Sequence, residues 1–185
     1  MKIEDNFLKR KEFDVLQSLI MRNEFAWFYA PVIDSSEDFE DVGKFQFTHL
    51  FYMNYAAQSP FFAKLKPIFD KLKAVSMWRI KANLLTRTSN IIENTFHVDI
   101  NDMSEENLNQ WTTSIFYMNT NNGYTKFEDG SIVESVANRL VSFPSNMRHK
   151  GTSCTDEKIR VVINFNYFAK SSKMNKKNNR RKTNG

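Results

Sequence analysis

The sequence predicts a mainly β chain, a sandwich or barrel of short strands buttressed by helices at its N-terminal end. Three observations carry this. About eight short apolar runs follow one another from residue 75 to residue 168, divided by turn residues. Two of the dividers, Asn121-Asn122-Gly123 and Glu128-Asp129-Gly130, have hairpin chemistry, because Asn and Gly accept positive φ. Helical spacing of apolar residues is confined to the region before them, ending at Leu72.

Taken in order, Phe13, Leu16, Leu19 and Ile20 keep three- and four-residue steps, as an amphipathic helix covering a core requires. Glu24–Ala30 and Phe45–Tyr52 are rich in aromatics and read as strands. Ser59-Pro60 opens a second helix, since serine can cap and proline fits the first turn; Phe62, Leu65, Phe69 and Leu72 continue it, and Pro67 interrupts or kinks it. The strands that follow are Val75–Thr86, Thr95–Ile100, Thr112–Asn119, Tyr124–Phe127, Ser131–Val136, Arg139–Phe143, His149–Ser153 and Lys158–Phe168.

A length of 185 residues with 41% hydrophobic and 25% charged residues suits one globular domain and excludes wholesale disorder. Apolar segments recur to Phe168 without a break, so residues 1–169 are read as one domain. The formal charge of +5 is a property of the end of the chain. Residues 170–185 hold seven Lys or Arg and no acid, which leaves 19 basic against 21 acidic residues in the body. This tail has no apolar residue after Met174 and is expected to be disordered, either as a solubilising end or as a segment that attracts a polyanion such as nucleic acid. Cys154 is the only cysteine, so a disulfide within the chain and a cysteine-built zinc site are excluded. The first 13 residues are charged throughout and no 18-residue apolar run occurs, so the expected location is the cytoplasm, without a membrane partner. Neither a G-x-x-x-x-G-K-[ST] phosphate loop nor a G-x-S-x-G nucleophile turn is present, which removes the ATPase, kinase and serine-hydrolase readings.

The residues able to do chemistry are few. In Phe96-His97-Val98-Asp99-Ile100 a strand would put His97 and Asp99 on one face, offering an imidazole nitrogen and a carboxylate oxygen side by side. A distant histidine, His149, would complete a two-histidine, one-carboxylate set with three metal positions left open. On its own H-x-D arises often by chance and more commonly describes a surface or hydrogen-bonded histidine beside an unrelated aspartate. Arg160 opens a strand in which Arg160, Val162, Asn164 and Asn166 share one face and Val161, Ile163, Phe165 and Tyr167 the other. An arginine there either meets a bound anion such as a dicarboxylate, or sits exposed beside Asp156 or Glu157. His49 is read as a core or rim histidine, and Cys154 as an inert thiol in a turn.

His97-x-Asp99, Thr113-Ser114-Ile115-Phe116-Tyr117-Met118-Asn119, Gly123-Tyr124-Thr125-Lys126-Phe127, Leu140-Val141-Ser142-Phe143-Pro144, His149 and Arg160 occur in this order. The succession resembles the Fe(II)/2-oxoglutarate-dependent oxygenases, in their prolyl-4-hydroxylase-like branch, over roughly residues 75 to 168. The resemblance implies a double-stranded β-helix, a jelly-roll or cupin-like barrel, with the helices packed outside. It implies Fe(II) held by His97, Asp99 and His149, and 2-oxoglutarate held by Arg160 and Tyr117, with Asn83 and Thr113 contributing to the same pocket. The implied reaction uses O2, with ascorbate in support, to hydroxylate a C–H bond with release of succinate and CO2. The carboxylate at Asp99 points to hydroxylation, since halogenating relatives lack it. The implied substrate is a peptidyl proline, or more broadly a peptide or small molecule. Two features depart from the family: a longer gap between His149 and Arg160, and Tyr124-Thr125 where many relatives carry a glycine and an acid. The competing reading is a non-catalytic jelly-roll that binds a ligand, or nucleic acid through its basic tail.

Overall fold

The structure, a computed structural model, describes residues 1–33 and 43–169. The basic tail and its nucleic-acid reading lie outside the described residues. Among the described residues, eleven strands and three α-helices follow one another in the order β1 (Lys2–Glu4), α1 (Arg10–Ile20), β2 (Phe28–Ala30), β3 (Gln46–Met53), β4 (Ala56–Ala57), α2 (Lys66–Leu72), β5 (Ala74–Thr86), α3 (Glu105–Leu108), β6 (Thr112–Tyr117), β7 (Tyr124–Phe127), β8 (Ile132–Glu134), β9 (Leu140–Pro144), β10 (His149–Gly151) and β11 (Ile159–Ala169). They form an eight-stranded sheet, β1-β9-β6-β11-β5-β3-β2 with β4 on β3, and a three-stranded sheet, β10-β7-β8, all antiparallel. This arrangement is consistent with a jelly-roll.

The large sheet is covered on both faces, and period-2 alternation decides which side chain goes where. On β11, Val161, Ile163, Phe165 and Tyr167 join Phe13, Leu16 and Ile20 of α1 and Ile68 of α2 in one core. Phe13 meets Phe116 edge-on, and the Gln17 amide donates to the Met118 carbonyl at 2.6 Å. The opposite face sends Ile115, Tyr117, Val141, Phe143 and Val162 against Phe127 and Val133 of the small sheet. On β5 the same rule sends Ile80, Ala82 and Leu84 to the first core and leaves Arg79, Lys81 and Asn83 facing the space beside the small sheet.

Pro67 acts as expected. The turn Phe62–Leu65 is 3-10, and α2 begins afresh with proline in its first turn. Three expectations are corrected. The strand read over Glu24–Ala30 shrinks to Phe28–Ala30, because the Phe25 amide closes a turn onto the Arg22 carbonyl and Phe25 is buried among His49, Phe51 and Phe61. Asn121-Asn122-Gly123 is no hairpin: β6 and β7 lie in different sheets and the segment crosses between them. Gly123 is needed there for space rather than φ, since an added Cβ would lie 2.6 Å from the Ser153 carbonyl oxygen and 2.7 Å from Arg160 Cδ. Finally, Thr95–Ile100 is not a regular strand. It runs along β10 through two isolated bridges, Glu93 to Thr152 and His97 to His149. Four residue steps on one side span three on the other, and that mismatch breaks the ladder.

Candidate active site

The second bridge does what the expected strand was meant to do. His97 and His149 exchange both backbone hydrogen bonds at 3.0 Å, which sets the two imidazoles beside each other with ring centroids 4.9 Å apart. The segment carrying His97 is held by side chains in place of a ladder. Arg148 donates to the Phe96 carbonyl at 2.8 Å, and Lys150 lies over the Phe96 ring while pairing with Glu93 at 2.6 Å. Arg79 donates to the Asp99 carbonyl at 2.9 Å.

One ligand atom from each of His97, Asp99 and His149 lies within 4.8 Å of the others, close enough for a shared ion. The tautomers suit one. Nδ1 of His97 lies 3.0 Å from the Thr95 carbonyl oxygen and Nδ1 of His149 lies 3.2 Å from that of Met147. A carbonyl only accepts, so each Nδ1 carries the proton and each Nε2 presents a lone pair. Second contacts of this kind orient metal-binding histidines. Asp99 is held as a carboxylate. Burial is the largest influence and pushes its pKa up, but the Arg79 guanidinium, the imidazoles of His149 and His97 in their protonated form and the Asn166 amide together carry it well below the ordinary range.

These three residues line a cavity that also receives Asn83, Thr125 and Arg160. Arg160 is 3% exposed, and its guanidinium donates to Ser135 Oγ at 2.8 Å and Thr125 Oγ1 at 3.2 Å, both neutral. No carboxylate among the described residues pairs with it, and burial pulls its pKa down. A buried cation without an anion, in a cavity beside three metal-type ligands, fits a dicarboxylate bound to the same ion. The Asn83 Oδ1 is buried at the cavity wall without a partner among the described residues, a second polar group available to a ligand.

The remaining expected residues stand one step back. Tyr117 is fully buried, its hydroxyl donates to Thr125 Oγ1 at 2.8 Å, and burial raises its pKa. It supports the threonine that faces Arg160. Thr113 does not line the cavity; its hydroxyl meets Ser145 at 2.9 Å and the Asn166 amide at 3.1 Å. His49 is a satisfied core histidine, with Nδ1 on the Ala26 carbonyl and Nε2 on Ser59 Oγ, both at 2.7 Å. Cys154 is buried, with burial raising its pKa, and its thiol meets the Glu157 carbonyl.

Sequence reasoning overlooked Arg79, Thr125, Ser135, Asn164 and Asn166 as site residues. Only the asparagines had a visible signal: two amides on the face of Arg160, within an otherwise apolar strand, need partners if buried.

No protein-family model and no curated protein matches the chain by sequence. Its fold is that of the 2-oxoglutarate Fe(II) oxygenases, prolyl hydroxylases among them. It is similar to a Pseudomonas putida prolyl-4-hydroxylase at 14% identity, covering 92% of each chain with a TM-score of 0.51. A prolyl hydroxylase from Trichoplax adhaerens, solved with a hypoxia inducible factor peptide, is similar at 12% identity, covering 90% of this chain and 82% of that one, with a TM-score of 0.56. An oxidoreductase of the 2OG-Fe(II) oxygenase family from Burkholderia pseudomallei follows at 10% identity, 89% and 84% coverage and a TM-score of 0.58. Among the described residues no helix is long and apolar enough to cross a membrane.

Proposed function

We propose that this protein is an Fe(II)- and 2-oxoglutarate-dependent dioxygenase that hydroxylates an unactivated C–H bond, on a jelly-roll with its helices packed outside. The observation that carries this is the convergence of His97, Asp99 and His149 within 4.8 Å of one another in the cavity that also holds Arg160, which has no carboxylate partner among the described residues. His97, Asp99 and His149 would hold the iron. Arg160 would pair with the distal carboxylate of 2-oxoglutarate, steadied by Ser135 and by a Thr125 that Tyr117 fixes in turn. Asn83 would meet the same molecule at the cavity wall. When bound, iron and 2-oxoglutarate supply the oxidative decarboxylation that yields succinate and CO2 and delivers an oxygen atom to the substrate.

A second cavity shares Lys81, His97 and Asp99 with the first and is also lined by Thr48 and Asn101; a substrate would approach the ion through it. A peptidyl proline is the proposed substrate, supported by the likeness in fold to prolyl hydroxylases, one of them solved with a peptide. The test incubates the purified chain with Fe(II), ascorbate, 2-oxoglutarate and a panel of proline-containing peptides. The expected results are succinate release and peptides heavier by one oxygen atom. Absence of both succinate release and calorimetric 2-oxoglutarate binding would overturn the enzyme reading; succinate without peptide oxidation would overturn the peptide substrate alone.

A further inference from the structure

We propose that Asn166, oriented by Thr113 and seconded by Asn164, is a positioning residue: it retains Oδ2 of Asp99 for the protein so that Oδ1 is the oxygen offered to the ion. The proposal rests on the reading of this site as an iron centre.

The two carboxylate oxygens of Asp99 are treated differently. Oδ2 receives the Asn166 amide at 3.0 Å and the Asn164 amide at 3.3 Å. Oδ1 has looser contacts, with Asn164 at 3.5 Å and Arg79 at 3.4 Å, and it lies 3.9 Å from Nε2 of His97, the atom with which it would share the ion. The asparagines sit two apart on β11, so the pleat aims both at the same partner. Thr113 faces Asn166 in the register between β6 and β11, where its oxygen accepts the Asn166 amide and its hydroxyl is linked to Ser145.

The arrangement has a visible cost. Oδ1 of Asn164 and Oδ1 of Asn166 are both buried without a hydrogen-bond partner among the described residues. Turning either amide over would place its carbonyl against the Asp99 carboxylate, so the orphaned acceptors are the consequence of pointing both NH2 groups at one oxygen. Packing alone gives no reason to bury two amides there. A carboxylate retained at one oxygen can bind an ion through the other only, which keeps the remaining metal positions open.

Co(II) titration of the full chain, followed by d–d absorption and calorimetry, tests this. Asn166→Leu is expected to weaken Co(II) binding by about 10–100-fold, the range for losing an outer-shell partner of a ligand, and to alter the spectrum as both oxygens become available. Thr113→Val, which removes the hydroxyl that orients the amide, should shift both readouts the same way by a smaller factor, and it decides the matter if Asn166→Leu does not fold. A purely structural role would lower the thermal stability of the metal-free protein and leave affinity and spectrum unchanged, and that result overturns the proposal. Failure of the wild-type chain to take up Co(II) or 2-oxoglutarate overturns instead the iron-centre reading.

Discussion

Replacing Arg160 by methionine should separate stability from ligand binding. The guanidinium is 3% exposed and, among the described residues, faces two neutral hydroxyls and no carboxylate. Burying a charge without a counter-charge costs several kcal/mol. Its hydrogen bonds to Ser135 and Thr125 return about 1.5–3 kcal/mol each, as bonds to charged groups do. The two contributions nearly cancel, and methionine fills most of the volume with an apolar chain. In metal- and cosubstrate-free buffer Arg160→Met is therefore expected to leave stability unchanged or raise it by up to about 3 kcal/mol, at about 2–4 °C of Tm per kcal/mol. Removing one partner of a buried ion pair would cost about 3–5 kcal/mol instead. With Mn(II) in place of iron, 2-oxoglutarate at about 100 times its Kd should stabilise the wild type by about 2.7 kcal/mol and the variant not at all. Denaturant midpoints and thermal scans with and without 2-oxoglutarate measure both effects. A loss above about 3 kcal/mol without ligand, or a retained response to 2-oxoglutarate, refutes the assignment of Arg160 as an anion site awaiting its anion.

Gly123→Ala would set a Cβ 2.6 Å from the Ser153 carbonyl oxygen and 2.7 Å from Arg160 Cδ. The side chain yields more easily than the backbone, so KM for 2-oxoglutarate should rise with kcat little changed, at about 1–3 kcal/mol in stability; an unaltered KM refutes it. Glu93 has its pKa drawn down from 4.5 to about 2 by hydrogen bonds from Lys150, Tyr124 and Lys126. Its contribution is complete above its unfolded value and is lost as pH falls through about 2. The stability gap between wild type and Glu93→Gln, about 1 kcal/mol after allowance for solvent screening, should therefore close between pH 5 and 2; a gap constant with pH contradicts this. Asn138 adopts φ 64° and its side-chain amide meets both the N–H and the carbonyl of Leu8 at 2.9 Å. Asn138→Ala should cost about 2–4 kcal/mol by orphaning two buried groups and should speed hydrogen exchange at Leu8; unchanged exchange would show that the N-terminal segment is held otherwise.

Periodicity is a local property of the backbone, and what depends on it was legible in the sequence. The division of β11 into an apolar face and a face bearing Arg160, Val162, Asn164 and Asn166 is seen in the structure as it reads in the sequence. So are the extents of β5 and β7 and the break of the second helix at Pro67. The segment 95–100 was misread because its residue types suit a strand, while a one-residue mismatch against β10, invisible along a single chain, prevents the ladder. His97 and Asp99 converge all the same, through the bridge to His149 and the grip of Arg79 on the Asp99 carbonyl.

The sequence by itself determined that the chain is mainly β, that a histidine, an aspartate and a second histidine stand in the order such a metal site needs, and that an arginine opens the last strand. Tertiary structure alone decided that Arg160 is buried without a counter-charge among the described residues, that Thr113 and Tyr117 act behind the cavity rather than in it, and that two asparagines hold one oxygen of Asp99. These outcomes depend on contacts between segments as much as 67 residues apart in the chain, as between Asp99 and Asn166. Side-chain alternation within a strand cannot report which strand will lie beside it.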